Sequence, residues 1–180
     1  MHAIRMPETN ALSFGDDASI SARVRDELAV TLAHGDAARA RTLREALDAR
    51  DFHAEFAAEL GGLGFDSHDL AGVMAAYWLV MWSLVHDVPL PSAKAAAPVR
   101  AQVARMIGPS PLVHGDAQRQ AMGEAMLSET MLTHEQVREA RARGDAAALR
   151  AMGDTAQRNM LMRQALNLKK MRLTSSGLAR

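Results

Sequence analysis

From Leu70 to Val85 the chain reads LAGVMAAYWLVMWSLV, sixteen residues without a charge that hold both tryptophans and the only tyrosine. A membrane-spanning helix needs about 20 predominantly apolar residues. This run is a turn too short, and it is closed by Asp66, His68 and Asp69 on one side and by His86, Asp87, Pro89 and Pro91 on the other. No Lys or Arg flanks it as an anchor. A helix that is apolar all round at this length is the central helix of a bundle, so a buried helix is expected over 67–87 with amphipathic helices around it.

The flanking sequence supplies those partners. Apolar residues recur at spacings of three and four, whereas period-two alternation with β-branched residues is scarce. Ile20, Val24, Leu28 and Leu32 form one stripe. Ala40, Leu43 and Leu47 form a second, Phe52, Phe56, Leu60 and Leu63 a third, and Ala96, Val99, Val103 and Met106 a fourth. Gly-Asp pairs at 35–36, 115–116 and 144–145 suit the end of one helix and the cap of the next. Asp66 or Ser67 is expected to open the central helix, Ser92 the one after the prolines, and Thr133 with Gln136 fits a capping box.

The pattern predicts an all-α, single-domain bundle of about seven or eight helices. They are placed near 18–33, 36–49, 51–63, 67–87, 92–107, 116–132, 134–143 and 145–169. Residues 1–17 read as a flexible N-terminal segment, 18–173 as the helical domain, and 174–180, TSSGLAR, as a loose tail. The Gly-Asp pairs do not recur at a fixed period, so they punctuate helices rather than mark a solenoid.

Charge and motif content exclude several functions. Lys and Arg together number 21, as do Asp and Glu, and the sequence pI is about 7.1. A nucleic-acid-binding domain normally carries a basic face, so no nucleic-acid partner is expected. Cysteine is absent, which removes disulfides and thiolate chemistry and leaves the compartment open. HEQVR at His134 puts Arg138 where a zincin needs its second histidine, and in DFHAEF the acids Asp51 and Glu55 share a helical face that His53 does not. Glu129 has Leu132, not histidine, three positions on, so the di-iron bundle motif is missing. GGLGF at 61–65 lacks the strand and third glycine of a dinucleotide loop. No catalytic residue, cofactor or metal ligand is assigned on these grounds.

Two features remain for binding. Tyr77, Trp78 and Trp82 lie close together on the central helix; core packing is the simpler reading, and one wall of a small apolar ligand pocket is the other. The methionines of the second half, Met122 and Met126 among them, suit either a core or an adaptable surface for a partner. The basic residues of the last third read as a solvated face.

The order of these segments also resembles a known family. SFGDDASISARVRDEL, FDSHDLAGVMAAYWLVMWSLV, a Pro-broken connection, a Met-rich helix, ARGDAAALRAMGD and MRLTSSGL together are similar to small exported bacterial helical proteins catalogued only as a domain of unknown function, over about residues 12–178. The resemblance implies a periplasmic or secreted protein whose signal peptide has been removed, and it supplies no site residue. The opening MHAIRMPETN itself lacks the basic and apolar regions of a leader, which is equally compatible with a cytoplasmic chain. The leading expectation is a non-enzymatic exported domain acting through a protein partner or self-association. A small apolar ligand carrier is the alternative, and a hydrolase using scattered His and Asp the third.

Overall fold

The computed structural model describes residues 11–180. Seven α-helices follow one another: α1 (Ala18–Ala33), α2 (Ala37–Asp48), α3 (Phe52–Leu60), α4 (Leu70–His86), α5 (Ala93–Ile107), α6 (Asp116–Ala142) and α7 (Ala146–Gln164). Short 3₁₀ turns lie at Gly61–Leu63, Pro111–Val113 and Leu168–Lys170, and the chain closes with strands β1 (Arg172–Thr174) and β2 (Gly177–Ala179).

α4 is the centre. Fourteen of its 17 residues are buried, and α5, α6 and α7 pack around it. Valines and aromatics are mediocre helix formers, so α4 is held by its surroundings: Leu70, Val73, Leu79 and Trp78 are almost wholly out of water. Each such side chain contributes on the order of 1.5–3 kcal/mol. Among the described residues no helix is long and apolar enough to cross a membrane.

Aspartates start most of the helices. Asp17, Asp36, Asp51, Asp69 and Asp145 each accept a hydrogen bond from a backbone N–H of the first turn, satisfying donors the helix cannot. α4 therefore begins three residues later than an Asp66 cap would place it. Residues 66–69 instead form a turn, with the Asp69 N–H bonded to the Asp66 carbonyl at 3.2 Å. Ser92 stands at the cap position of α5 without a side-chain bond, and Gly115 rather than Asp116 precedes α6.

Three further differences from the expected pattern concern α5, α6 and α7. α6 is one helix of 27 residues, with no break at Thr133. Neither glycine nor proline interrupts 124–142, and residues on both sides of the expected break are buried, Leu127 and Met131 before it and Val137 and Ala140 after it. On α5 the stripe ends at Ile107, while Met106 is 54% exposed. α7 stops at Gln164, where Ala165 turns left-handed and the Leu166 N–H reaches back to the Met160 carbonyl at 3.1 Å.

The termini differ most. Of the segment expected to be flexible, residues 1–10 lie outside the described residues, but Leu12 and Phe14 are buried and the Phe14 N–H donates to the His68 carbonyl at 3.0 Å. The expected loose tail is an antiparallel hairpin, pairing Arg172 with Ala179, Leu173 with Leu178 and Thr174 with Gly177. Leu178 is 2% exposed, and Gln102 on α5 clamps its backbone, accepting from the N–H at 2.8 Å and donating to the carbonyl at 2.9 Å.

Candidate functional site

The three rings of α4 have different surroundings. Trp78 is buried in the core, and its indole N–H donates to Gln164 at the end of α7. Trp82 is half-buried; its N–H donates to the Met171 carbonyl at 3.0 Å, and His86 packs beside it with ring centroids 4.9 Å apart. Trp78 thus ties the end of α7 to α4, and Trp82 ties the C-terminal segment to the bundle. Tyr77 alone of the three reaches the cleft between α4, α6 and α7. Met122 and Met126 are partly buried against the core and do not line that cleft.

The cleft has a volume of about 280 Å³. Tyr77, Met81 and Leu84 form its floor on α4, Glu129, Thr133 and Gln136 one wall on α6, and Met152, Thr155 and Asn159 the other on α7. The Tyr77 hydroxyl donates to Glu129 Oε1 at 3.2 Å. Burial, reinforced by the Glu129 carboxylate, pushes that hydroxyl well above its ordinary pKa, so it stays a donor at neutral pH. Met162, 83% exposed, stands three residues beyond Asn159 and so on the same side of α7.

A second constellation was not legible in sequence. The segment before α1, the first turn of α3 and the turn before α4 bring Asp16, His53 and His68 together. The two imidazoles stack with centroids 4.2 Å apart and planes 14° from parallel. His68 Nε2 lies 2.9 Å from Asp16 Oδ1, while Ser67 Oγ lies 2.9 Å from His53 Nδ1 and 3.4 Å from His68 Nδ1. Burial first, and the neighbouring His68 second, hold His53 below its ordinary pKa, which favours a neutral ring.

Rigid supports surround this cluster. Asp51 caps α3 two residues before His53, Asp66 Oδ1 accepts from the His68 N–H at 2.9 Å, and Arg119 donates to the carbonyls of Ser13, Val113 and His114. Buried Gln120 pairs with both the N–H and the carbonyl of Asp17, and passes a bond to Glu124 at 2.7 Å, which also accepts from Ser21 Oγ at 2.7 Å. A polar cleft bounded by Ser21, Arg25, Arg50 and Glu124 opens beside the two histidines. Distances of 15 to 52 positions separate the three residues, so no spacing rule signals them.

Comparison with known proteins places the whole chain in one group. No curated protein and no solved structure matches it. Residues 4–179 match the family of unknown function DUF6683, and the chain belongs to that family.

Proposed function

We propose that this is a non-enzymatic binding domain that engages a protein partner through the cleft between α4, α6 and α7. The observation that carries the reading is an apolar cleft lined by Tyr77 and by Met152 of α7, a helix that also bears an exposed methionine, Met162, one turn beyond the cleft residue Asn159. Tyrosine and methionine are enriched where proteins meet, the first for its apolar body with a polar tip and the second for its adaptability. At about 280 Å³ the cleft stands at the lower edge of the roughly 300–1,000 Å³ usual for small-molecule pockets, a size that admits one protein side chain or a small ligand. Tyr77 and Met81 at its floor favour an apolar group as the occupant, which is also what supports the ligand-carrier alternative.

The resemblance of the sequence supports export, and we propose that the partner is met in the periplasm or outside the cell. A photo-crosslinker at Asn159, introduced in native cells, tests both points. One adduct is expected, enriched in the envelope or medium fraction and lost when Thr155→Trp fills the cleft. An adduct equally strong from a crosslinker at Arg41 on α2, or one indifferent to Thr155→Trp, overturns the reading. Recovery of the chain only in the cytoplasmic fraction overturns export alone.

A further inference from the structure

We propose that Asp16, His53 and His68 bind a single divalent transition-metal ion of the zinc or ferrous class. Two imidazoles and one carboxylate, with a position left for solvent, form a donor set suited to these ions, and the chain has no cysteine to favour softer ones. One ligand atom from each residue lies within 4.8 Å of the other two. Around a zinc ion with bonds of about 2.0–2.1 Å, tetrahedral ligands stand roughly 3.4 Å apart. Closing the site thus takes up to about 1.4 Å of approach between ligand atoms, and the Asp16 carboxylate, 70% exposed and already 2.9 Å from His68 Nε2, stands at its solvent side.

The Ser67 hydroxyl is the observation that separates this from a chance gathering of polar groups. It stands between the Nδ1 atoms of both rings, at 2.9 and 3.4 Å. With His68 Nε2 donating to Asp16 Oδ1 at 2.9 Å in the metal-free chain, His68 Nδ1 accepts from Ser67 Oγ while His53 Nδ1–H donates to it, which leaves His53 Nε2 a lone-pair donor. An ion at the site would move the His68 proton from Nε2 to Nδ1, where the second lone pair of Ser67 Oγ accepts it, and a histidine ligand commonly has its other nitrogen fixed in this manner. The rings are stacked, and Phe14 packs against His68 at 5.8 Å between centroids, which limits its rotation. Asp16, His53 and His68 line one cleft together with Ser21, Arg25, Arg50 and Glu124, from which solvent would complete the coordination. None of these residues lines the α4/α6/α7 cleft, so the metal site stands or falls independently of the proposed partner.

The test uses the full chain, free of any affinity tag and stripped with chelator, titrated calorimetrically with Zn²⁺ and then with Co²⁺ for its visible d–d absorption. One equivalent is expected, with a rise in Tm. Asp16→Asn and His68→Gln are expected to weaken binding by tenfold or more, and Ser67→Ala by roughly tenfold as a supporting group, while His134→Gln leaves it unchanged. Absence of binding, or binding that survives in both ligand variants, overturns the proposal. Should His68→Gln fail to fold, the wild-type chain decides: Zn²⁺ must shift the ring resonances of His53 and His68 among its seven histidines, and any other pattern counts against the site.

Discussion

The ring of Phe14 fills the space that a side chain at position 123 would need: a Cβ on Gly123 would stand 2.4 Å from Phe14 Cε1 and 2.5 Å from Cζ. Two effects oppose each other at this site. Alanine is the better helix former by about 1 kcal/mol, but overpacking a buried contact costs about 1–3 kcal/mol, and both atoms belong to a ring that is 5% exposed and enclosed. The clash wins. Gly123→Ala is expected to lower the urea midpoint, and Phe14→Ala in the same chain to restore part of the loss, the sign of coupling that a double-mutant cycle reads.

Asp69 gives a second prediction. Its carboxylate is 2% exposed, caps α4 through the Gly72 N–H at 3.0 Å, and pairs with Arg100 of α5. Removing one partner of a buried pair costs about 3–5 kcal/mol because the other charge is stranded. Arg100 is partly exposed, and water can reach its side of the pair, so about 2–3 kcal/mol is expected for Arg100→Ala. Asp69→Asn, which keeps an oxygen for the cap, should cost less, measured by chemical unfolding.

How far the sequence discloses this fold is visible element by element. The central helix and its partners follow from a sixteen-residue uncharged run and from apolar spacing of three and four, which depend only on local periodicity. Thr133 with Gln136 satisfies a capping pattern yet lies mid-helix in α6, because burial of Met131 on one side and Val137 on the other favours continuing the helix. The hairpin is too short for alternation to show. Its turn is held by Thr174, whose Oγ1 donates to the Gly177 carbonyl at 2.8 Å and accepts from the Ser176 N–H at 3.2 Å. Asp16, His53 and His68 meet only after the arm before α1 has docked on the turn before α4, a long-range event without a local signature.

His134 sets a pH dependence. It lies half-buried between Glu59, 3.8 Å away, and the cations Arg138 and Arg141. Burial chiefly, then the two arginines, lower its pKa in the folded chain, with Glu59 opposing. The unfolded chain takes up this proton near pH 6.5 and the folded chain only below that. Above that pH both forms are neutral and His134 contributes no slope; as pH falls through the interval, the unfolded state gains protons and stability is lost. His134→Gln should therefore show a smaller drop in Tm between about pH 7.5 and 5.5 than the wild type. The comparison separates His134 from His53, whose pKa is lowered in the same direction.

A glutamine fastens each end of the described chain. Gln120 pairs with the backbone of Asp17 before α1, and Gln102 with that of Leu178 in β2, each amide both donating and accepting as a neighbouring strand would. For the hairpin this matters more than its own two-stranded ladder, since an isolated hairpin is marginal at best in water. Burial of Leu178 and the Trp82 bond to the Met171 carbonyl add to the hold. Gln102→Ala removes both bonds and leaves the Leu178 groups unpaired, at about 1–3 kcal/mol. Leu178→Ala opens a cavity costing about 2–5 kcal/mol, toward the lower end where a terminal segment can collapse onto the space. The expected result for Gln102→Ala is local release: amide exchange in residues 172–179 speeds up by tenfold or more, while α4 keeps its protection. Equal loss of protection in α4 would mean instead that the hairpin is integral to the core and unfolds only with it.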